Sequence, residues 1–409
     1  MITRRSFVTA CTAALGALSA APPARAFAQS PVMRLRPGGS GDGFDPWLEV
    51  IAPAFRHNAA EVARIAGGRP ILAVVKNNAY GLGDVLVGPL LASCPEVGGI
   101  ACVRPAEALA MRSAGVRKPM LTMAELGEEE SAELVRRDVM LSAWLDDAPE
   151  RLARIARRAR RRVPVHLYLD TGMNREGQPI GRAMPWVERI AGLREVRIDG
   201  TYQMFVHDVD FDRVQLARFL AFTRAAAGRT LRLGRLHAAA TFELHRVPES
   251  HLDMVRVGNA LFGAQPGAGV AHAADLRPVV RLKARVVRVE RVEPGESAGF
   301  NRAFQPSAPT RVALLPVGHT DGYPSAAAGT CQVLINGRLF PVVTGGVNSA
   351  HTIVDVGLDA NVSVGDTATL VGPEAPEILP AEVGARTKLG FYQLITKFNA
   401  LLPRTLVEA

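Results

Sequence analysis

Short apolar runs alternate with longer amphipathic stretches between residues 70 and 260. Most runs are almost continuously apolar, which is typical of parallel strands covered on both faces. The stretches between them have helical composition, as in Glu107–Ser113 and Phe211–Ala227. Eight such alternations predict an α/β fold, the (β/α)8 TIM barrel. The predicted strands are Ile71–Val75, Gly98–Val103, Pro119–Met123, Val139–Trp144, Val163–Leu169, Val196–Met204, Leu231–His237 and Met254–Val257.

The pattern changes after the eighth strand, where apolar and polar residues alternate with a period of two. Val280–Val286 alternates strictly, as a half-exposed antiparallel strand does. Cys331–Val343 predicts a hairpin with Asn336 and Gly337 at its turn, and Val362–Val371 predicts a further strand. The predicted organisation is a signal peptide over 1–28, a barrel over 45–270 and a C-terminal all-β domain over 271–409.

The N-terminus has the features of an export signal. An arginine pair followed by an aromatic residue, within residues 4–7, resembles a twin-arginine signal, and an ordinary secretory signal is the alternative. The apolar stretch 8–21 is too short and too rich in Ala, Thr and Ser to span a bilayer. Cleavage after Ala26 or Ala28 fits the small-residue rule, and Cys11 leaves a lipoprotein as a further alternative. We expect a periplasmic protein with no membrane span after signal removal.

The composition is that of a globular protein, with 48% hydrophobic and 21% charged residues among 409. The formal net charge of +9 is local, because three arginines lie in the first 28 residues and seven lie between 151 and 162. The rest of the chain is nearly neutral, so we expect no nucleic-acid partner. The arginine-rich segment is interpreted as a solvated outer helix before the fifth strand, with an anionic docking patch as the alternative.

Cysteine is sparse in the mature chain, where Cys94, Cys102 and Cys331 remain. An odd number argues against a disulfide framework, and buried free thiols are expected. A Cys94–Cys102 pair is the alternative. No Cys/His spacing fits a zinc site, so no metal centre is expected.

Lys76 is the first candidate for chemistry, because it directly follows five apolar residues at the end of the first predicted strand. In TIM barrels the active site lies at the carboxyl ends of the strands. Burial at that position would lower the pKa of the amine and make it a nucleophile toward a carbonyl. The alternative is a lysine that extends into solvent at the barrel mouth.

The residues around Lys76 and five further segments resemble the motifs of the alanine racemase family, in that family's order, from Trp47 to Arg404. The resemblance implies a barrel that binds pyridoxal 5′-phosphate (PLP), an all-β domain, an amino-acid substrate and a homodimer with shared active sites. The segments are Ala73–Gly83, Asp170–Arg175, His237–Thr241, Met254–Gly258, Asp321–Pro324 and Phe391–Gln393.

The resemblance also implies roles for individual residues. Lys76 would form the Schiff base with PLP and act as one acid/base. Arg175 would contact the phenolic oxygen of PLP, and Arg256 would donate to its pyridine nitrogen with His237 hydrogen-bonded nearby. A guanidinium does not protonate that nitrogen, so the ring is a weaker electron sink, which suits reversible proton exchange. The residues implied to hold the phosphate are Tyr80, Thr241, Gly258 and Tyr392.

The residues around the reaction itself depart from the family pattern. The family's second base, a tyrosine from the partner subunit, falls at Phe300, which has no proton to exchange. General acid–base catalysis typically contributes about 10²–10⁴-fold, so ordinary racemisation would suffer. We hypothesise that His319 replaces the missing tyrosine, with an entrance residue that only shapes access as the alternative. The further altered positions are Tyr168, Met204, Ala240, Ser349 and Ala350.

Three functions follow from these observations. The first is an exported PLP-dependent amino-acid racemase, with alanine as substrate. The second is a PLP enzyme in which Lys76 alone performs one-sided proton exchange or elimination. The third is a periplasmic protein that binds PLP or amino acids without catalysis. Lys76 and Arg256 favour the first two, whereas Phe300, Met204 and Ala350 favour the last two.

Overall fold

A computed structural model describes residues 43, 45–267, 270 and 274–408, so the predicted signal peptide lies outside the described residues. The strands are β1 (Trp47–Ile51), β2 (Ile71–Val74), β3 (Val97–Cys102), β4 (Met120–Thr122), β5 (Val139–Ala143), β6 (Val163–Asp170), β7 (Gln178–Pro179), β8 (Val196–Tyr202), β9 (Arg235–His237), β10 (Val255–Val257), β11 (Val280–Arg285), β12 (Arg288–Val292), β13 (Thr310–Leu315), β14 (Gln332–Ile335), β15 (Arg338–Val347), β16 (Thr352–Asp355), β17 (Thr367–Val371) and β18 (Arg404–Val407).

Most helices lie between the barrel strands, and two lie between β17 and β18. Their apolar faces are buried against the strands, as the amphipathic pattern predicts. The helices are α1 (Ala52–Ile65), α2 (Asp84–Ser93), α3 (Pro105–Ser113), α4 (Glu128–Arg136), α5 (Ala148–Ala159), α6 (Ala183–Ala191), α7 (Val209–Gly228), α8 (Thr241–Arg246), α9 (Pro380–Arg386) and α10 (Gly390–Thr396).

The eight predicted barrel strands are all present and parallel. They pair in the order β10-β2-β3-β4-β5-β6-β8-β9, and a single bridge between His237 and Met254 connects the two ends of the sheet. Strand β2 is buried at each of its four positions, which explains its continuous apolar sequence. The predicted strand at Leu231–His237 is shorter than expected, since β9 begins at Arg235. The barrel prediction is confirmed, and all strand carboxyl ends meet at one mouth.

The second sheet is mostly antiparallel, with strand order β12-β13-β16-β15-β14-β17-β11-β1-β18. Strand β11 alternates buried and half-buried residues as predicted, and β14 and β15 form the predicted hairpin. Asn336 and Gly337 have φ of 49° and 78°, the left-handed values that a two-residue hairpin turn requires. The strand predicted at Val362–Val371 is wrong in its first half. There the Ser363 N–H binds the Asp366 carboxylate at 2.9 Å, and this turn delays β17 until Thr367.

Strand β1 lies in the second sheet although the predicted barrel range began at residue 45. Trp47–Ile51 pairs antiparallel with β11 and parallel with β18. Four of its five residues are buried, so its apolar run fits the interior of a sheet. The N-terminal strand therefore ties the C-terminal domain to the start of the barrel, and the chain enters α1 directly from it.

The arginine-rich segment is an outer helix, as predicted. Leu152 and Ile155 of α5 are buried, while its arginines pair with the neighbouring acidic helix α4. Arg154 donates to Glu128 at 2.7 Å, and Arg158 reaches the same carboxylate. Acidic side chains of the protein already cover part of the positive charge, so this face gives no support to the anionic docking alternative.

The three described cysteines are buried and unpaired, as expected. Within the described ranges, no helix combines the length and apolarity needed to cross a bilayer. The same residues contain no cluster of His, Cys, Asp or Glu that could hold a metal ion.

Candidate active site

Lys76 directly follows β2 at the carboxyl end of the barrel and lines a cavity there. Residues 77–80 form a left-handed turn, with φ between 49° and 57°. Glu107 holds this turn, because its carboxylate accepts the N–H groups of Asn78 and Val103, each at 3.1 Å. Glu107 was missed by the sequence analysis, although its place at the start of a helix after a strand is the signal that could have found it.

The Lys76 amine is tuned toward its neutral form. Its side chain is half-buried in the cavity, and burial lowers the pKa of the amine. The Arg175 and Arg256 guanidinium groups lower that pKa further. A lysine with a lowered pKa has more free amine at neutral pH, so it attacks carbonyl groups more readily.

The cavity has a volume of about 550 Å³, which suits a small ligand. Four cationic side chains line it, and Glu176 is the one carboxylate among the described lining residues. This excess of positive charge in a partly enclosed site favours an anionic ligand. The cationic lining residues are Lys76, Arg175, Arg246 and Arg256.

Arg256 is held by a buried chain of hydrogen bonds. Its Nη1 donates to Nδ1 of His237 at 2.9 Å, and its Nη2 donates to the Gln203 carbonyl at 3.0 Å. Since His237 accepts at Nδ1, its proton is on Nε2, which donates to Nδ1 of His166 at 2.9 Å. Burial lowers the pKa of both imidazoles, that of His166 to about 4. Both histidines are therefore neutral, and Arg256 carries the charge.

Stacked aromatic rings support the same guanidinium. Tyr168 stacks on Tyr202 with ring centroids 4.5 Å apart, and Tyr202 stacks on His237 at 4.9 Å. Arg256 lies over the Tyr202 ring, 4.8 Å from its centroid. The Tyr202 hydroxyl forms a 2.8 Å hydrogen bond with the Ser142 hydroxyl, so it points into the barrel interior. The barrel interior thus fixes the direction in which Arg256 faces the cavity.

A group of hydroxyls and backbone amides surrounds Gly258 on another side of the cavity. A Cβ atom at Gly258 would lie 1.9 Å from the Tyr80 hydroxyl oxygen, so only glycine permits this close approach. Tyr392 packs edge-on against Tyr80, with ring centroids 5.2 Å apart. The Thr241 hydroxyl accepts the Ala260 N–H at 3.2 Å. Hydroxyl and N–H donors of this kind bind phosphate oxygens.

The structure therefore brings most sequence-predicted residues to one place. Lys76, Tyr80, Arg175, Thr241, Arg256, Gly258 and Tyr392 line the cavity, and His237 lies directly behind Arg256.

His319 and Phe300 are not among the lining residues of this cavity. His319 is exposed in a short turn of the second domain, and Phe300 is 67% exposed. The catalytic role of His319 stays a prediction. His207, which the sequence analysis did not single out, lines the cavity instead.

Together, fold and site define a two-domain barrel protein built to hold an anionic ligand beside a reactive amine. Residues 51–266 match the N-terminal domain of alanine racemase, and residues 279–406 match the C-terminal domain. Among curated relatives, alanine racemase of Syntrophobacter fumaroxidans is 32% identical over 342 residues, which is 82% of this chain and 90% of the relative. Alanine racemase of Symbiobacterium thermophilum is 32% identical over 376 residues, covering 89% and 97% respectively.

Solved structures agree with this assignment. The crystal structure of alanine racemase from D-cycloserine-producing Streptomyces lavendulae superposes with a TM-score of 0.82 at 25% identity. It covers 90% of this chain and 98% of that chain. The protein belongs to the alanine racemase family, which is PLP dependent.

The residues of this site fit PLP. The Lys76 amine suits its aldehyde, and the Tyr80 hydroxyl, held close to Gly258, suits its phosphate. Arg256 can donate to the pyridine nitrogen, since no described carboxylate forms an ion pair with it. Arg175 can face the phenolic oxygen, because more than half of its side chain is exposed at the cavity and its nearest acid, Glu176, is 3.7 Å away.

Proposed function

We propose that this protein is a PLP-dependent amino-acid racemase that interconverts L- and D-alanine. One observation carries the proposal: the half-buried Lys76 amine, with a lowered pKa, faces a cavity lined by cations. Relatives about 30% identical over more than four fifths of the chain are named alanine racemase, which supports the substrate.

The protein side of the reaction is proton transfer at one carbon. PLP, when bound, withdraws electrons from the substrate's Cα and makes its proton acidic. Lys76 takes or returns that proton on one face. Arg256, a guanidinium beside two neutral imidazoles, would donate a hydrogen bond to the ring nitrogen without giving up its proton. This arrangement favours reversible proton exchange over reactions that need a stronger electron sink.

The second face of the substrate is where this chain differs from its family's pattern. Phe300 replaces the expected tyrosine and is exposed in the single chain. In our proposal two copies form a homodimer that brings this surface to the partner's cavity. Analytical ultracentrifugation tests that assembly. Sedimentation as a monomer at enzyme-assay concentration would remove Phe300 and His319 from the site.

Covalent trapping tests the role of Lys76. The purified protein is loaded with PLP and reduced with borohydride, and its peptides are mapped by mass spectrometry. We expect the phosphopyridoxyl group on Lys76 and none in Lys76→Arg. Lys397→Arg is the matched control, since Lys397 is exposed and outside the cavity. Labelling elsewhere, or no labelling, contradicts the proposal.

Heavy water distinguishes racemisation from the alternative of one-sided chemistry, which the phenylalanine at position 300 favours. A racemase incorporates deuterium at Cα from either L- or D-alanine and forms both enantiomers. A one-base enzyme exchanges one enantiomer with retention. Phe300→Tyr is expected to increase racemisation by about tenfold or more, since it supplies an acid/base group. An unchanged rate would show that position 300 does not reach the substrate.

The proposed location is the periplasm, through the twin-arginine route. The supporting observation is the arginine pair ahead of a weakly apolar stretch. Cell fractionation of the full chain is the test. We expect the double variant Arg4→Lys/Arg5→Lys to stay in the cytoplasm, whereas export of that variant would favour the ordinary secretory route.

A further inference from the structure

The cavity contains an imidazole to which neither the fold nor the family pattern gives a role. His207 follows β8 and lines the same cavity as Lys76. It is the one histidine among the described lining residues. Its side chain is 48% exposed, so a ring nitrogen can meet a ligand in the cavity.

His207 and Lys76 approach the cavity from different sides of the barrel. In the sheet, β8 is separated from β2 by β9 and β10 in one direction and by four strands in the other. Residues that follow these two strands therefore lie across the mouth from each other. A two-base proton exchange requires acid/base groups on opposite sides of the substrate.

Two neighbouring side chains restrict the orientation of the His207 ring. The ring stacks on Phe242, with centroids 5.0 Å apart and an interplanar angle of 18°. Its Nε2 lies 3.6 Å from Oε1 of Glu243, a fully buried carboxyl group. That oxygen has no hydrogen-bond partner among the described residues, while Oε2 accepts the Ala240 N–H at 3.0 Å. When it is ionised, a carboxyl group beside one nitrogen attracts the proton there and leaves the other nitrogen free to accept one.

The backbone at His207 is left-handed, with φ of 66°, a conformation in which histidine occurs more often than most side chains. Asp212, on α7, holds this loop by accepting the Val206 N–H at 3.2 Å.

We propose that His207 is the second acid/base of the racemisation, with Glu243 as its positioning residue. The inference rests on the proposed function above. On the face opposite Lys76, His207 of the same chain would carry the proton, in place of the family's tyrosine, whose position Phe300 occupies.

In one direction, the Cα–H bond breaks, the proton goes to the Nδ1 lone pair of His207, and the electron pair stays on the substrate. The Lys76 ammonium then donates a proton to the opposite face and forms the new C–H bond. His207 ends as an imidazolium and Lys76 as a free amine, and exchange with water restores both. The reverse direction uses the same groups in the opposite order.

Four charged groups influence the pKa of His207. Burial lowers it, the Arg175 and Arg246 guanidinium groups lower it further, and Asp212 raises it. Glu243 is within ion-pair distance. The neutral ring can accept a proton. The Glu243 carboxyl group, whose pKa burial raises to about 7, stabilises the resulting imidazolium when it is ionised.

The kinetic test uses His207→Asn, because asparagine tolerates the left-handed φ and has no titrating group. We expect racemisation to fall about 100-fold, with deuterium exchange continuing on the Lys76 face. His57→Asn is the matched control, because this histidine lies outside the cavity, and it should racemise at the wild-type rate. His319→Ala tests the competing candidate. A wild-type rate in His207→Asn, or a comparable loss in His319→Ala alone, overturns the inference. Wild-type protein that traps no PLP on Lys76 defeats the proposed function instead.

A second readout needs no turnover. In cofactor-free protein with 13C-labelled histidine, the His207 resonance is assigned by its loss in His207→Asn. Adding N-(5′-phosphopyridoxyl)-L-alanine should shift that resonance, and Glu243→Gln should lower the pH at which it titrates. Bound analogue without a His207 shift overturns the contact with the substrate. A titration unchanged by Glu243→Gln overturns the positioning role.

Discussion

Gly258→Ala is expected to damage both stability and cofactor binding. The added Cβ would lie 1.9 Å from the hydroxyl oxygen of Tyr80 and 2.8 Å from its Cζ atom. Gly258 is not among the residues with positive φ, so alanine fits the backbone there. The collision with Tyr80 is therefore the change that the substitution introduces.

The size of the effect follows from how tightly Tyr80 is enclosed. Its hydroxyl must retreat by about 1.5 Å before the Cβ contact reaches an ordinary 3.4 Å. The Tyr80 ring is 4% exposed and packs against Phe262 at 4.4 Å and Tyr392 at 5.2 Å. Overpacking of this kind costs about 1–3 kcal/mol, which lowers the unfolding temperature by a few degrees.

Thermal unfolding and PLP titration measure the two consequences. Gly228→Ala is the matched control, because no atom lies within 4 Å of its added Cβ and its φ is not positive. Adding Tyr80→Phe to Gly258→Ala removes the shortest contact and should recover part of the lost stability, although not the phosphate contact. If Gly258→Ala unfolds at the wild-type temperature and binds PLP with wild-type affinity, the close packing of Gly258 against Tyr80 is wrong.

Three further substitutions test the energetics of the fold and site. Burial raises the pKa of Glu243 from 4.5 to about 7, so the folded chain keeps a proton that the unfolded chain releases. As pH rises from 4.5 to about 7, the free energy of unfolding of the wild type should therefore fall relative to that of Glu243→Gln, by on the order of 1–3 kcal/mol. If urea unfolding gives both proteins the same pH dependence, this prediction is wrong. Arg256→Gln should raise the pKa of Lys76, because the Arg256 guanidinium lowers it. In cofactor-free protein, reductive methylation of Lys76 should then require a higher pH, and an unchanged pH dependence would refute the effect of Arg256 on Lys76. Asn58→Leu should cost about 3 kcal/mol in urea unfolding, because it leaves two buried carbonyls and the Arg277 N–H without their partner, and a loss below about 0.5 kcal/mol would be inconsistent with those bonds.

Much of the architecture could be predicted from local sequence. The barrel strands are recognisable because a strand covered on both faces must be apolar at every position, as Ile71–Val74 is. The hairpin at Asn336 and Gly337 is equally local, since few residues adopt two successive left-handed conformations. Lys76 could also be assigned to the barrel mouth from local sequence, because a charged residue directly after a buried strand marks that strand's carboxyl end.

Other features depend on contacts between distant parts of the chain. No local signal distinguishes a strand that joins the barrel from one that joins the second sheet, so only the structure placed Trp47–Ile51 between β11 and β18. The turn at Ser363 interrupts a run that looks continuous in sequence.

The sequence by itself determined the fold class, the position of Lys76 at the barrel mouth and the family, because these follow from periodicity and from contiguous motifs. Only the tertiary structure placed His207 in the Lys76 cavity with Glu243 at its side. It also left His319 and Phe300 of the same chain outside that cavity. The physical reason is that an active site joins loops from different strands, and the distances between them are set by how the barrel closes.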